Sequence, residues 1–145
     1  MVPAVIGASM ASANIHLSDE LPVLQNQLKN KISFFRTRAT KYGIPFLGLG
    51  NTPIFFIPIG DPEDVFVLGK KMMEKGFYQS PSVFPSVPLK NAGLRFTITN
   101  WISEENIDSM LKQLSELYQQ QLTPAQRNLS FLQKRFKGSL REFSV

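Results

Sequence analysis

A chain of 145 residues, 43% hydrophobic and 19% charged, has the size and balance of one globular domain with a single core. It has no cysteine, which excludes disulfides, thiolate nucleophiles, iron–sulfur clusters and the usual structural zinc sites, and its one histidine, His16, gives no basis for a histidine metal site. No apolar run reaches the roughly 18 residues that a membrane-spanning helix needs, and the small, apolar start lacks the basic stretch of a signal peptide, so a cytoplasmic protein is expected. The formal charge of +5 is uneven, because Arg127, Lys134, Arg135, Lys137 and Arg141 face only Glu142 in the last 25 residues. Such a segment can bind nucleic acid or an acidic surface. With no aromatic-interleaved RNA motif beside it, a solvated helix face is expected and nucleic acid is not.

Two helices open the chain. Residues 3 to 15 are rich in Ala, Ser and Ile, small enough for close packing. Ser18 offers a cap, Asp19 and Glu20 suit a first turn, and Leu21, Leu24, Leu28, Ile32, Phe35 and Ala39 recur at helical spacing. Gly43 and Pro45 end that helix. The run Ile54-Phe55-Phe56-Ile57-Pro58-Ile59 predicts a buried strand, with Pro58 pushing its end toward an edge or a stop. Asp61-Pro62 then begins a helix to about Lys75 with Val65, Leu68 and Met72 inward and Gly76 as its stop. A short strand is expected at 77–79, followed by an irregular loop holding Pro81, Pro85 and Pro88. From Leu94 to Thr99 the residues alternate, placing Leu94, Phe96 and Ile98 on one face and Arg95, Thr97 and Thr99 on the other. The apolar face must cover the core, so Arg95 projects from a rigid strand toward the polar side.

Ser103, followed by Glu104 and Glu105, caps a helix with Ile107, Met110, Leu111, Leu114, Leu117 and Tyr118 inward. Thr123-Pro124 starts one further short helix carrying Leu129, Leu132 and Phe136, with fraying expected after Gly138. The order ααβαββαα argues for an α+β fold, a small, mostly antiparallel sheet with helices packed on it.

Several of these pieces come in a familiar order. Thr52-Pro53-Ile54 with Gly60-Asp61, the helix Leu68–Gly76, Pro85-Ser86-Val87-Pro88, Leu94-Arg95-Phe96, and Ser103-Glu104-Glu105-Asn106-Ile107-Asp108 together resemble the C-terminal small domain of the α-oxoamine synthases. This group of pyridoxal-phosphate (PLP) enzymes of the aminotransferase fold includes 8-amino-7-oxononanoate synthase, 2-amino-3-ketobutyrate CoA ligase and serine palmitoyltransferase. Pro3-Ala4-Val5 resembles the helix that follows the large domain there. The resemblance covers about residues 2–120 and implies a linking helix (1–17) and the small domain (18–122), leaving a basic helical tail (123–145) that matches nothing in the family.

The resemblance also implies a role for Arg95, whose counterpart in the family contacts the carboxylate of the amino-acid substrate. A planar guanidinium matches a carboxylate with paired donors. Gly93 stands where the family often has a second arginine, and Ile102, after Trp101, where it commonly has a histidine; both departures bear on which substrate is taken. The Schiff-base lysine, the aspartate on the pyridine nitrogen and the phosphate loop belong to the family's large domain. Lys70, Lys71 and Lys75 lie beside acidic residues on a helix and suit solvated charges, and one histidine builds no catalytic triad.

The expectation is therefore a chain that by itself has no catalytic, metal or cofactor-binding residues, binds PLP weakly or not at all and turns over no substrate. Its parent would join an amino acid to an acyl-CoA with loss of carbon dioxide, using PLP and a large PLP-binding domain, as a homodimer formed mainly through that domain. An apolar patch near Arg95 would then face the large domain. Two alternatives stand beside this: a related aminotransferase, in which Arg95 would also hold a carboxylate, and a free-standing, non-catalytic module binding through its basic tail.

Overall fold

A computed structural model describes residues 2–48, 50–136 and 143–144. The chain opens with helix α1 (Pro3–His16) and helix α2 (Glu20–Lys41), followed by strand β1 (Phe46–Leu47) and strand β2 (Ile54–Gly60). Helix α3 (Pro62–Glu74) leads to strands β3 (Ser80–Ser82) and β4 (Ala92–Thr97). Helices α4 (Glu104–Gln121), α5 (Pro124–Arg127) and α6 (Leu129–Arg135) follow, and β5 (Phe143–Ser144) comes last. The strands form one sheet in the order β3-β4-β2-β1-β5, with every neighbouring pair antiparallel. The architecture is α+β, as the alternation of patterns predicts.

Local chemistry explains the boundaries. Asp61 accepts from the Glu63 N–H at 2.9 Å and Pro62 fills the first turn of α3. Ser103 accepts from the Asn106 N–H at 3.1 Å and starts α4. At the end of α3 the Phe77 N–H bonds the Met72 carbonyl and the Gly76 N–H bonds that of Met73, the paired closure of a Schellman motif, with Gly76 at φ 88°. That closure moves the next strand. The expected strand at 77–79 is instead β3 at 80–82, because Phe77 is still tied to the helix and Gln79 turns inward to 4% exposure.

The main core lies between one face of the sheet and α2, α3 and α4. Phe35 on α2 is fully buried, stacked on Phe55 at 4.0 Å between ring centroids and met edge-on by Phe46 at 6.0 Å. Ile57 and Ile59 of β2, Leu94 and Phe96 of β4, Val65, Leu68 and Met72 of α3, and Ile107, Leu111 and Leu114 of α4 complete it. Between α2 and α4, Arg38 pairs with Asp108 at 3.1 Å, and the Tyr42 hydroxyl donates to the same carboxylate. The N-terminal half of α2 leaves this core: Leu21, Leu24 and Leu28 are only half-buried, and α1 has no buried residue.

Four further expectations need correction. Strand β1, too short to show a period, went unforeseen. Pro58 does not mark an edge: β2 is an inner strand, tolerating the missing N–H because two-residue β1 registers only with Phe56, and the β4 register shifts between Pro58 and Gly60. The last helix is two, since Asn128 leaves helical geometry and its side chain accepts from the Ser130 and Phe131 N–H groups, restarting the turn. Finally, the far face of the sheet is not simply polar. Leu132 and Phe136 are buried there against Leu47 and Phe56. The fraying expected after Gly138 falls on residues outside those described, except that Phe143–Ser144 pairs with β1 and satisfies its open edge.

Two outcomes follow. Leu132→Ala should destabilise the chain by about 3 kcal/mol in denaturant melts, the cost of a cavity in a packed site; a change near zero would mean that α6 is not part of the fold. Tyr118, whose hydroxyl donates to the Pro58 carbonyl at 2.9 Å, has a phenol that burial pushes well above the usual 10.0. The unfolded chain therefore gives up this proton first, so stability holds below that pH and falls as pH rises beyond it. Tyr118→Phe should cost about 1 kcal/mol at neutral pH and flatten that alkaline loss in pH-dependent melts.

Candidate functional site

Arg95 stands on β4, hydrogen-bonded on both sides, in register with Phe56 of β2 and Ser80 of β3. Its neighbours Leu94 and Phe96 are buried at 0% and 5%, while Arg95 itself is exposed, so the alternation read from the sequence is realised. A strand held on two sides fixes the base of a long side chain better than a loop does. Arg95 lines a concavity of about 500 Å³ with Tyr78, Ser80, Thr97 and Asn106 as its other polar groups and Phe77, Ile98, Ile102 and Met110 among its apolar ones. No carboxylate lines this space, and among the described residues the Arg95 guanidinium has no ion-pair or hydrogen-bond partner. An anion entering it would meet an uncompensated, always-charged planar donor.

The rim is held from beneath. Lys31 on α2 donates to the carbonyls of both Asn100 and Ile102, and the Asn100 side-chain amide donates to the Leu24 carbonyl at 3.0 Å. These bonds tie the turn before α4 to α2. Sequence reading did not single out Lys31, Tyr78, Ser80 or Asn106. Tyr78 was hidden by the misplaced strand, and Lys31 lies 69 positions from Asn100 in a helix whose pattern marks it only as a polar residue. Around the site Tyr78 is 78% exposed and Trp101 96% exposed, so two large aromatics stand uncovered.

The space beside Arg95 is set by Gly93. A Cβ there would stand 2.3 Å from the Ile57 carbonyl oxygen and 2.4 Å from the Phe56 ring, so the position accepts no side chain. Phe56 is backed in turn by Phe136, with ring centroids 6.1 Å apart. The single-arginine character of the strand is thus a packing consequence in this chain.

Sequence comparison finds relatives over most of the chain. It is 27% identical over 118 residues to 8-amino-7-oxononanoate synthase of Thermoanaerobacter pseudethanolicus, covering 81% of this chain and 29% of that protein. It is 30% identical over 115 residues to the enzyme of the same name from Saccharophagus degradans, covering 79% and 28%. The chain is a relative of the α-oxoamine synthases. Among solved structures, 8-amino-7-oxononanoate synthase of Francisella tularensis superposes with a TM-score of 0.55 at 21% identity, over 63% of this chain and 26% of that one. Serine palmitoyltransferase from S. paucimobilis with bound PLP and myriocin gives 0.57 at 15% identity, over 63% and 23%. Both share the α+β fold. No protein-family model matches. The chain thus spans under a third of the length of these α-oxoamine synthases, as their small domain would.

PLP, which accompanies this group, does not fit the Arg95 concavity. Among the described residues no lysine and no carboxylate lines the Arg95 concavity, Lys70 is exposed on α3 and Lys75 just past its end, and Lys31 is engaged with two carbonyls. No described helix is long and apolar enough to cross a membrane.

Gly93→Ala should destabilise by about 3 kcal/mol, and Phe56→Ala in the same chain should not rescue it, because the Ile57 carbonyl is main chain. Thermal melts of the single and double variants decide this; full rescue would show that only the ring matters.

Proposed function

We propose that the chain is the small domain of a PLP-dependent acyltransferase that condenses an amino acid with an acyl-CoA and loses carbon dioxide. In this reading Arg95 holds the amino acid's carboxylate. The observation that carries it is the unpaired Arg95 guanidinium, presented by a doubly bonded strand into a carboxylate-free concavity. The names of the relatives support the reaction class. The Schiff-base lysine and the phosphate site would lie on a larger portion outside this chain, and no chemical step is assigned to residues described here. Arg95 would bind and orient, and closure of the domain over the reacting atoms would exclude water. Residues 1–17 would link the two portions, in keeping with an α1 that buries nothing. Assembly as a homodimer through the larger portion, and a cytoplasmic setting, belong to the same proposal.

The test is a condensation assay on the native protein with an amino acid and an acyl-CoA. Arg95→Ala should lower kcat/KM for the amino acid about a hundredfold, roughly the 3 kcal/mol of a lost charge-assisted pair, and leave KM for the acyl-CoA unchanged. Borohydride reduction followed by peptide mapping should place no adduct on Lys70, Lys71 or Lys75. Unchanged amino-acid kinetics in Arg95→Ala, or a stoichiometric adduct on one of those lysines, would overturn the reading.

A further inference from the structure

A second concavity, of about 450 Å³, shares no residue with the first and is lined by Lys90, Phe131, Lys134 and Arg135. Among the described residues three of the four lining side chains are cations, none is an acid, and none of the three cations has an ion-pair partner within 4 Å. The backbone places Lys90 there. The Asn91 N–H bonds the Pro88 carbonyl at 2.9 Å, closing a four-residue turn whose third residue, Lys90, sits at φ 72°. That position favours glycine or asparagine, and a lysine in left-handed geometry costs about 1 kcal/mol. Local preference is thus broken at the residue that brings an ammonium group to the concavity, a pattern expected where a site has a use. Arg135 is held by contact: its guanidinium lies 5.4 Å from the centre of the Phe131 ring and fills the side-chain space over Gly60, 3.0 Å from where a Cβ would stand. It is half-buried, unlike a free surface arginine.

From this arrangement we propose that the concavity binds a phosphate group carried by a small molecule. The planar Arg135 guanidinium supplies paired donors to two phosphate oxygens, and the two ammonium groups add point charges from the Pro88–Asn91 turn and from α6. Phe131, 40% exposed, offers an apolar surface to whatever carries the phosphate. The site rests on α6 and on the turn before β4, so it requires the packing of Leu132 and Phe136 on the sheet and is independent of Arg95.

The purified 145-residue chain is titrated with pyrophosphate and with ADP at low ionic strength, followed by amide NMR shifts. Saturable shifts confined to residues 88–91 and 128–136, with Kd near or below about 1 mM, are expected. Lys134→Gln should weaken both probes about tenfold, and Lys70→Gln on α3 should change neither. Lys90→Gly is the decisive variant: it should raise or keep the melting temperature, because the turn prefers glycine, while weakening both probes about tenfold. ADP binding more tightly than pyrophosphate, with the advantage lost in Phe131→Ala, identifies a ring-bearing source of the phosphate; ADP binding no more tightly than pyrophosphate would overturn the carried phosphate. Absence of saturable shifts, undiminished binding in Lys90→Gly, or binding only of single-stranded RNA or an acidic peptide would overturn the proposal.

Discussion

The pairing of β2 with β4 governs the rest of the structure. Phe55 opposite Phe96 and Ile57 opposite Leu94 turn their side chains into the core, while Phe56 opposite Arg95 faces away. A slip of one residue would drive the Arg95 guanidinium among phenylalanines and expose Leu94, so burial of apolar side chains and solvation of one charge select the same register. Gly93 reinforces the choice: with no side chain it leaves room for the Phe56 ring and the Ile57 carbonyl, which a Cβ would meet at 2.4 and 2.3 Å. Site and core are therefore two readings of a single hydrogen-bond ladder.

Both faces of this sheet are used, and differently. The inner face carries the large aromatic and aliphatic core, with Phe35 at its centre. The outer face carries a small cluster of Leu47, Phe56, Leu132 and Phe136, which seats α6 and leaves Arg95 exposed beside it. Two cation-bearing concavities result, one lined by the end of β4 and the start of α4, the other by α6 and the turn before β4. Among the described residues neither is lined by an acid, so each presents positive charge that suits anions.

Capping chemistry and helical periodicity were legible in the residues. Asp61-Pro62, Ser103 with its acidic first turn, and Thr123-Pro124 start helices where their side chains accept backbone N–H groups. Local signals failed where they compete or are too short. The Schellman closure after Glu74 consumed the residues expected to form a strand, and Asn128 restarted a helix that the apolar spacing reads as continuous. Arg95 was legible because alternation over six residues and the family resemblance agree; Tyr78 was not, because only the folded chain brings it to the concavity, nor was Lys31, which the fold brings to the turn before α4.

Taken alone, the sequence determined the α+β class, the helix starts, most of the inward-facing residues and the side of the strand on which Arg95 stands. Each of these depends on neighbours within a turn or two, where dihedral preference and periodic burial act directly. Only the tertiary structure decided that β2 lies inside the sheet, that α6 covers its outer face, and that Lys90 and Arg135 line one concavity. The last two outcomes join Phe56 to Phe136 and Lys90 to Arg135, 80 and 45 positions apart, and long-range contact is set by which surfaces can be buried together, a property of the whole chain that no local pattern encodes.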